Sequence, residues 1–286
     1  MKSVGIESDK IIRRRADGEL EYQPDDLTIE EPLEIRIARR TLAITMRTPG
    51  HDEELAAGFL LSEALIRSGD DIVRISRPRN ARNRNNIVCV DLSTAAIVPV
   101  ESAHRFGSIT TSCGICGKDS IAAVRQNFSP IPGEPKVRIS IDRLVALPHL
   151  LQKHQGDFAR TGGIHAAAVF DVEGNLTIVR EDIGRHNAVD KVIGRALLDR
   201  TLPLHRHGLL VSGRASFEIA QKALAAGIPI IASVSAPSNL AVNFCRESNQ
   251  TLIGFLRPPS FNIYSHVQRV VLDLAEVKSG SAKNAK

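Results

Sequence analysis

Residues 208–235, GLLVSGRASFEIAQKALAAGIPIIASVS, decide the fold of this chain. Two short apolar runs, GLLVSG and PIIASVS, flank a segment with helical periodicity that stops at Gly227. Because a buried strand, a helix and a second buried strand in succession are typical of parallel sheets covered by helices, the stretch predicts a strand–helix–strand unit.

The rest of the C-terminal half repeats this alternation. Helices are predicted over residues 140–154, 185–200 and 237–247, and strands over 164–171, 176–182 and 251–257, the last pairing with 262–266 or a neighbouring strand. The pattern therefore predicts an α/β fold with a layered, largely parallel sheet.

The N-terminal half has a different pattern. Residues 33–47, LEIRIARRTLAITMR, alternate apolar and polar residues around a polar break, which predicts a β-hairpin. Residues 48–69 predict a helix with acidic residues in its first turn and with Thr48 or Asp52 as its N-cap.

A stretch rich in Pro and Gly, SPIPGEPK at residues 129–136, separates the two halves. We predict four segments: a loose N-terminal segment at 1–20, a smaller α+β domain at 21–135, an α/β domain at 136–275 and a flexible tail at 276–286.

Composition restricts the class of protein. Of 286 residues, 43% are hydrophobic and 24% are charged, which is typical of a globular protein. No apolar run approaches the roughly 18 to 20 residues that span a bilayer, and MKSVGIESDK lacks the apolar region of a signal peptide. We therefore predict a cytoplasmic protein without a membrane segment, in a compartment where thiols stay reduced.

The net charge of +5 is mild, and part of it lies in one arginine-rich stretch. Either this stretch is a solvated hairpin tip or it is a patch for an anionic partner. Because no aromatic residue is interleaved, a nucleic acid partner is not expected. The arginines are Arg74, Arg77, Arg79, Arg82 and Arg84.

The sequence TTSCGICGK, residues 110–118, contains a CxxC motif. A helix predicted from Lys118 would place Cys113 and Cys116 near its N-terminus, which lowers a thiol pKa. The pair could be a redox couple, a sulfur carrier or half of a zinc site, although a second CxxC is absent. The other cysteines, Cys89 and Cys245, lie in apolar contexts and are interpreted as small core residues.

Polar residues collect where the predicted strands and helices meet. His165 begins a strand after two glycines, and Arg185 and His186 follow another strand in REDIGRHNAVDK. Gly213 and Arg214 come between a buried strand and a helix, where free backbone N–H groups suit a phosphate. The alternative interpretation is that His165 is structural and that the charges of REDIGRHNAVDK form solvent-exposed salt bridges.

Ser235 and Ser238 lie at the next strand-to-helix junction, in VSAPSNLA. Because carboxyl ends of neighbouring strands form the ligand-binding edge of α/β sheets, the two junctions predict a shared anion pocket.

Together these segments resemble the FdhD family of formate dehydrogenase accessory sulfurtransferases. The resemblance runs from about residue 30 to residue 265 and rests on the following stretches: TPGHDEELAAGFLLSEALI, TTSCGICGK, TGGIHAAAVFD, EDIGRHNAVDKVIG, VSGRASFEIAQKALAAGIPIIASVSAPSNLAV and TLIGFLR.

The resemblance implies a function. Members of the family accept sulfur from a cysteine desulfurase as a persulfide, and pass it to a molybdenum cofactor that carries two pterin guanine dinucleotides. That cofactor then enters the catalytic subunit of formate dehydrogenase. By this resemblance Cys113 would carry the persulfide and Cys116 would be its partner.

The resemblance also implies where the Mo-bis(molybdopterin guanine dinucleotide) acceptor would bind, with a GDP-like nucleotide as its mimic. The expected contacts are Phe255, Leu256, Arg257, Pro258, Pro259 and Ser260, joined by His165, Arg185, His186, Gly213 and Arg214. Arg185, Arg214 and Arg257 would cradle phosphates, and no permanent metal is expected.

The second half of the family resembles the cytidine deaminase fold, which implies a layered α/β/α domain beside the smaller α+β domain. Zinc deaminases use an H-x-E signature, whereas His165 is followed by two alanines here. Deaminase chemistry is therefore not expected. Two other classes stay open: a CxxC thiol–disulfide oxidoreductase and a zinc-stabilised, non-catalytic cofactor-binding adaptor. A homodimer is compatible with the fold.

Overall fold

The computed structural model describes residues 4–38, 40–78, 83–94, 128–133 and 137–271. Cys113, Cys116, Arg79 and Arg82 and the predicted tail at 276–286 lie outside the described residues, so the predictions made for them stay predictions. No helix within the described ranges has both the length and the hydropathy needed to cross a bilayer.

The described strands are β1 Ile6–Arg14, β2 Leu20–Thr28, β3 Glu31–Ile37, β4 Arg40–Arg47, β5 Ile72–Ser76, β6 Ile87–Leu92, β7 Ile139–Ser140, β8 His165–Phe170, β9 Leu176–Asp182, β10 Gly208–Val211, β11 Ile230–Ser233, β12 Thr251–Arg257, β13 Ser260–Ser265 and β14 Val270–Val271. The described α-helices are α1 Asp52–Ser62, α2 Ile141–His154, α3 Gly156–Thr161, α4 Arg185–Leu198, α5 Phe217–Ala225 and α6 Asn239–Glu247.

The central sheet has the strand order β13-β12-β11-β10-β8-β9. The strand–helix–strand unit predicted from residues 208–235 is confirmed, because β10 and β11 are parallel and β12 continues the parallel run. The other three neighbouring strand pairs, β8–β10, β12–β13 and β8–β9, are antiparallel. The sheet is therefore mixed rather than largely parallel. The reason is local: the turns after β8 and after β12 are too short for the crossover that parallel strands need.

Helices cover both faces of this sheet. Residues of one parity, such as Leu209 and Ile231, pack with α4, α5 and α6, whereas Leu210 and Ile230 pack with α2 on the opposite face. This division follows from the alternation of side chains along a strand. The layered α/β/α architecture predicted for the C-terminal half is therefore confirmed.

The N-terminal half contains a second sheet, of order β4-β3-β6-β5. The predicted hairpin is β3–β4, and β5 and β6 form another. Helix α1 is present, but its N-cap is His51, which has left-handed backbone dihedrals and makes no side-chain cap bond. The predicted caps have other partners: Asp52 pairs with Arg47 at 2.8 Å, and Thr48 Oγ1 accepts the backbone N–H of Ile183 at 3.1 Å.

Helix α1 joins the two halves by packing along α4. One hydrophobic cluster contains Leu55 and Leu60 of α1, Val192 and Ile193 of α4, and also Leu33 of β3. The core thus continues across the stretch in which we predicted a domain boundary. The boundaries themselves stay a prediction.

The expectation that residues 1–20 are loose is wrong for β1, which pairs with β2 in a continuous antiparallel register. Side chains fasten this hairpin to α3: Arg160 pairs with Asp26 at 2.8 Å, and Thr28 Oγ1 donates to Thr161 Oγ1 at 2.9 Å. Polar contacts of this kind leave no hydrophobic periodicity in the sequence, which is why the hairpin was missed.

Candidate functional site

The candidate site lies at one edge of the central sheet, where β10, β11 and β12 end. Because β8 is antiparallel to β10, its first residue, His165, reaches the same edge, as does the end of β9. A cavity of about 840 Å³ opens there, which lies within the usual range for ligand pockets. Its lining includes His165, Ser212, Val234 and Pro258 on the sheet side, and His149, Gln152 and Phe158 on the α2–α3 side.

Two strand-to-helix connections are locked together at this edge. The buried Ser233 hydroxyl donates to the carbonyl oxygen of Gly213 at 2.7 Å and accepts the N–H of Ser235 at 3.1 Å. The Ala215 N–H donates to the Ala236 carbonyl at 3.2 Å. The two junctions therefore lie side by side, and the shared anion pocket predicted for them stays a prediction. The Ser238 side chain is used as the N-cap of α6, where it accepts the N–H of Ala241 at 3.2 Å.

Gly213, Arg185 and His165, all expected at the cofactor site, come together. The antiparallel direction of β8 brings its first residue, His165, to the edge where β9 and β10 end. A Cβ atom placed on Gly213 would lie 3.4 Å from Cβ and Cδ of Arg185 and 3.4 Å from Nδ1 of His165. Burial lowers the pKa of His165, and Arg185 lowers it further, while Asp182 has the opposite effect. His165 is therefore a neutral imidazole at neutral pH, beside a positive guanidinium.

The arginines at this edge are differently exposed. Arg185 is half-buried, and its buried Nε has no hydrogen-bond partner in the part of the chain that the structure describes. Arg214 is exposed, and Arg257 donates from Nε to the carbonyl oxygen of Val234 at 3.1 Å. The edge therefore offers guanidinium groups from three different connections to an anionic ligand.

The segment from Phe255 to Ser260 closes the edge at the end of β12. Phe255 has a φ of 51° and is 39% exposed, and the Arg257 guanidinium lies 5.9 Å from its ring centre. Pro258 lines the cavity, and Pro259 follows it in the turn. The Ser260 hydroxyl donates to the Arg257 carbonyl at 3.1 Å. The six predicted residues thus span the end of β12, a two-residue turn and the first residue of β13, beside the cavity that Pro258 lines.

Leu256 differs from the rest of that segment. It is fully buried and packs in the cluster between the sheet and α2. A side chain in this position does not reach a ligand, so the expected contact of Leu256 with a cofactor is not present. Leu256 instead supports the turn by packing in the core beneath it.

Within REDIGRHNAVDK, Asp182, Asp190 and Lys191 form buried ion pairs instead of a ligand site or solvent-exposed salt bridges. Arg185 of the same stretch lies at the site edge beside Gly213. Lys191 pairs with Asp182 at 2.7 Å, and Asp190 pairs with Lys222 at 2.8 Å; all four side chains are buried. The Glu181 carboxylate accepts the N–H groups at the start of α3, at 3.1 and 2.9 Å. For Asp182, Asp190 and Lys191 both interpretations were wrong, because tertiary packing places them between elements. For Arg185 the ligand-site interpretation stays a prediction.

Thr48, between β4 and α1, holds the connection that carries Arg185. Its N–H donates to Asp182 Oδ2 at 3.3 Å, and its carbonyl accepts from Lys191 Nζ at 2.9 Å. Asn187, in the first turn of α4, donates to the Met46 carbonyl at 2.7 Å. The N-terminal half therefore fixes the position of one wall of the site.

His186, also expected at the site, lies just beneath its edge. It is 7% exposed, and its ring contacts Ser216 and Glu218 at the start of α5. The sequence interpretation did not single out Glu218. Its position in VSGRASFE, two residues after the Ser216 N-cap, was the available signal.

The two described cysteines are poor candidates for chemistry. Cys245 is fully buried in α6, and burial raises its thiol pKa to about 12. Cys89 is half-buried in β6. Among the described residues no cluster of three or more His, Cys, Asp or Glu side chains could hold a metal ion. That search does not include Cys113 and Cys116, so the zinc alternative is not tested by it.

Known proteins are similar to this chain over nearly its whole length. The profile of the FdhD/NarQ family matches residues 28–271. The sulfur carrier protein FdhD of Streptomyces avermitilis is 50% identical over 271 residues, which cover 93% of this chain and 96% of the relative. The protein of the same name from Sulfurisphaera tokodaii is 44% identical over 257 residues, 88% of this chain and 95% of the relative.

A solved structure has a similar fold. The crystal structure of a formate dehydrogenase accessory protein from Desulfotalea psychrophila superposes with a TM-score of 0.73 and 23% sequence identity. The match covers 93% of this chain and 99% of that chain.

Proposed function

Because the chain belongs to the FdhD/NarQ family, we propose that it is a sulfur carrier that supports the maturation of formate dehydrogenase. In this proposal Cys113 accepts sulfur from a cysteine desulfurase, and the sulfur is passed to Mo-bis(molybdopterin guanine dinucleotide). Cys116 assists as the second thiol of the motif. The molybdenum cofactor is the acceptor of the sulfur, and formate dehydrogenase receives the cofactor afterwards.

The loading step is a thiol exchange at sulfur. The Cys113 thiolate attacks the outer sulfur of the desulfurase persulfide, a new S–S bond forms, and the donor cysteine leaves as a thiolate. No external oxidant or reductant is consumed. Since the reaction needs reduced thiols, we place the protein in the cytoplasm.

One observation supports the acceptor half of the proposal: three arginines and an exposed aromatic ring lie at the sheet edge next to the cavity, and such groups suit a guanine dinucleotide. Arg185, Arg214 and Arg257 reach this edge from three connections. The starts of α4 and α5 add backbone N–H groups, which favour phosphate. Phe255 offers a partly exposed ring face to a planar heterocycle.

The experiment that tests the proposal is incubation of the full chain with a cysteine desulfurase and cysteine, followed by intact-mass measurement. Wild type should gain the mass of one sulfur atom. Cys113→Ala should gain none, and Cys116→Ala should still be loaded. Cys89→Ala, on β6, is the matched control and should behave as wild type.

Two results would overturn the proposal. A wild-type chain that gains no sulfur but cycles between dithiol and disulfide would favour the oxidoreductase. Stoichiometric zinc in the purified protein, lost when both cysteines of the motif are replaced, would favour the adaptor.

A further inference from the structure

Three side chains beneath the cavity edge lie in contact in the order Ser216, His186 and Glu218. Nε2 of His186 lies 3.1 Å from the Ser216 hydroxyl oxygen, and Nδ1 of the same ring lies 3.4 Å from Oε2 of Glu218. A hydroxyl, an imidazole and a carboxylate in this order allow the carboxylate to orient the ring and the ring to take a proton from the hydroxyl.

The relay runs from the interior toward the surface. His186 and Glu218 are 7% and 8% exposed, whereas Ser216 is only half-buried. Ser216 follows Arg214 by two residues in the connection after β10, so the outer end of the relay lies at the same sheet edge as the cavity. The Ser216 hydroxyl is thus the group of the relay that a bound ligand can contact.

The role of Ser216 as a helix cap does not account for this arrangement. Ser238 caps α6 at the equivalent junction by accepting one backbone N–H at 3.2 Å, and within the described chain no imidazole bonds to it. The cap bond of Ser216, from Ile219, is longer, at 3.5 Å. Its hydroxyl is therefore shared with His186, which a cap does not need.

The surroundings of Glu218 favour the protonated form of its carboxyl. From its own helix Lys222 approaches to 3.5 Å, from α4 comes Asp190, and from the end of α1 comes Glu63. Burial raises the pKa of Glu218 to about 7, and Asp190 and Glu63 act in the same direction while Lys222 opposes them. Three carboxyl groups thus surround one ammonium group, and His186 completes the cluster.

We propose that Ser216, His186 and Glu218 are a proton relay for the sulfur transfer, with His186 as the acid–base group and Glu218 as its positioning residue. The inference rests on the proposed function. When a thiol is bound at this edge, its S–H proton passes to Ser216 Oγ while the Ser216 proton passes to Nε2 of His186. The electron pair stays on sulfur, so a thiolate forms without an oxidant or a reductant. The reverse sequence protonates a leaving thiolate.

The test uses protein preloaded with persulfide, and follows its single-turnover discharge to the thiol of a short cysteine-containing peptide as a function of pH. At about pH 7.5 most Glu218 carboxyls are ionised and most cysteine thiols are not. There His186→Gln should slow discharge by about tenfold, because about one-tenth of such a thiol is ionised without a base. The rates should converge above about pH 9, where a thiol with a pKa near 8.5 ionises without help. His205→Gln, in an exposed segment before β10 and hence at the other end of the sheet, is the control.

Ser216→Gly is the second variant, because it removes the hydroxyl together with Cβ and glycine is tolerated at an N-cap. It should show the same pH-dependent loss. A loss equal at every pH, or profiles that superimpose on wild type, would overturn the relay while leaving the proposed function intact. A wild-type chain that is never loaded would overturn both.

Discussion

Gly58 of α1 and Gly194 of α4 bring the backbones of the two helices into direct contact. A Cβ atom on Gly58 would lie 1.9 Å from the carbonyl oxygen of Asp190, and one on Gly194 would lie 1.8 Å from that of Glu54. Both distances are shorter than any van der Waals contact. Only glycine at both positions allows α1 to lie this close to the helix that starts at the functional site.

We therefore expect Gly58→Ala and Gly194→Ala each to lower the free energy of unfolding by about 1–3 kcal/mol, the usual cost of overpacking. Chemical denaturation monitored by circular dichroism measures this. Gly133→Ala is the matched control, since among the described residues no atom outside its chain neighbours lies within 4 Å of its Cβ position. Equal stability of all three variants would contradict the close crossing.

Arg214→Ala should weaken binding of GDP by about tenfold or more, the loss of one hydrogen bond to a charged group, and should leave persulfide loading unchanged. Isothermal calorimetry gives the affinity and intact mass gives the loading. Arg200→Ala is the control, because Arg200 is exposed and pairs only with Asp70 among the described acidic residues. An unchanged affinity of Arg214→Ala for GDP would remove this arginine from the site.

Phe255→Gly should separate nucleotide binding from stability. The ring is partly exposed and its φ of 51° is unfavourable for any residue but glycine, so the free energy of unfolding should change by less than about 1 kcal/mol. The affinity for GDP should fall, and Phe255→Tyr should retain it. If Phe255→Gly binds GDP as tightly as wild type, the ring does not contact the base.

Glu54 should make the protein sensitive to acid. Burial opposes its ionisation, but the Arg180 guanidinium and His51 bring its pKa down from 4.5 to about 2. Because the folded-state pKa is depressed, the stabilisation is present above pH 4.5 and is lost as the pH falls toward 2. Glu54→Gln should be less stable than wild type by a few kcal/mol at pH 6, and the difference should shrink in acid. Urea denaturation at several pH values measures it.

Glu218 should affect stability in the opposite way to Glu54, by destabilising the folded protein as the pH rises. Its pKa is raised to about 7, so its carboxyl is favourable in the folded state below pH 4.5 and becomes costly as the pH rises through 7. Relative to wild type, Glu218→Gln should gain about 1–3 kcal/mol of stability between these limits. A stability difference that does not vary with pH would show that Glu218 is ionised like a surface carboxyl.

The sequence predicted those strands and helices correctly whose buried residues follow a regular apolar pattern. In residues 208–235 the apolar runs and the final glycine define β10, α5 and β11, because those strands are buried on both faces. The hairpin β1–β2 was missed because it is mostly exposed and is held by polar contacts such as Arg160 with Asp26.

The sequence predicted which sheet edge carries the candidate site, but not which side chains contact each other there. Gly213 and Arg185 follow predicted strands, which was enough to expect both at one edge of the sheet. That His165 joins them depends on the antiparallel direction of β8, which the predicted, largely parallel sheet did not include. That Leu256 points into the core, and that His186 meets Glu218, depends on how a bulged strand and two helices are oriented. Sequence spacing carries no information about such orientations.

The bonds of Thr48 with Asp182, Ile183 and Lys191 have a thermodynamic consequence. A ligand that steadies the Arg185 connection also steadies the entrance to α1, since the two segments share those hydrogen bonds. Occupancy of the cavity should thus slow amide hydrogen exchange in the first turn of α1, at residues that the ligand never touches. Conversely, a change that destabilises the first turn of α1 should weaken ligand binding by the same coupling free energy.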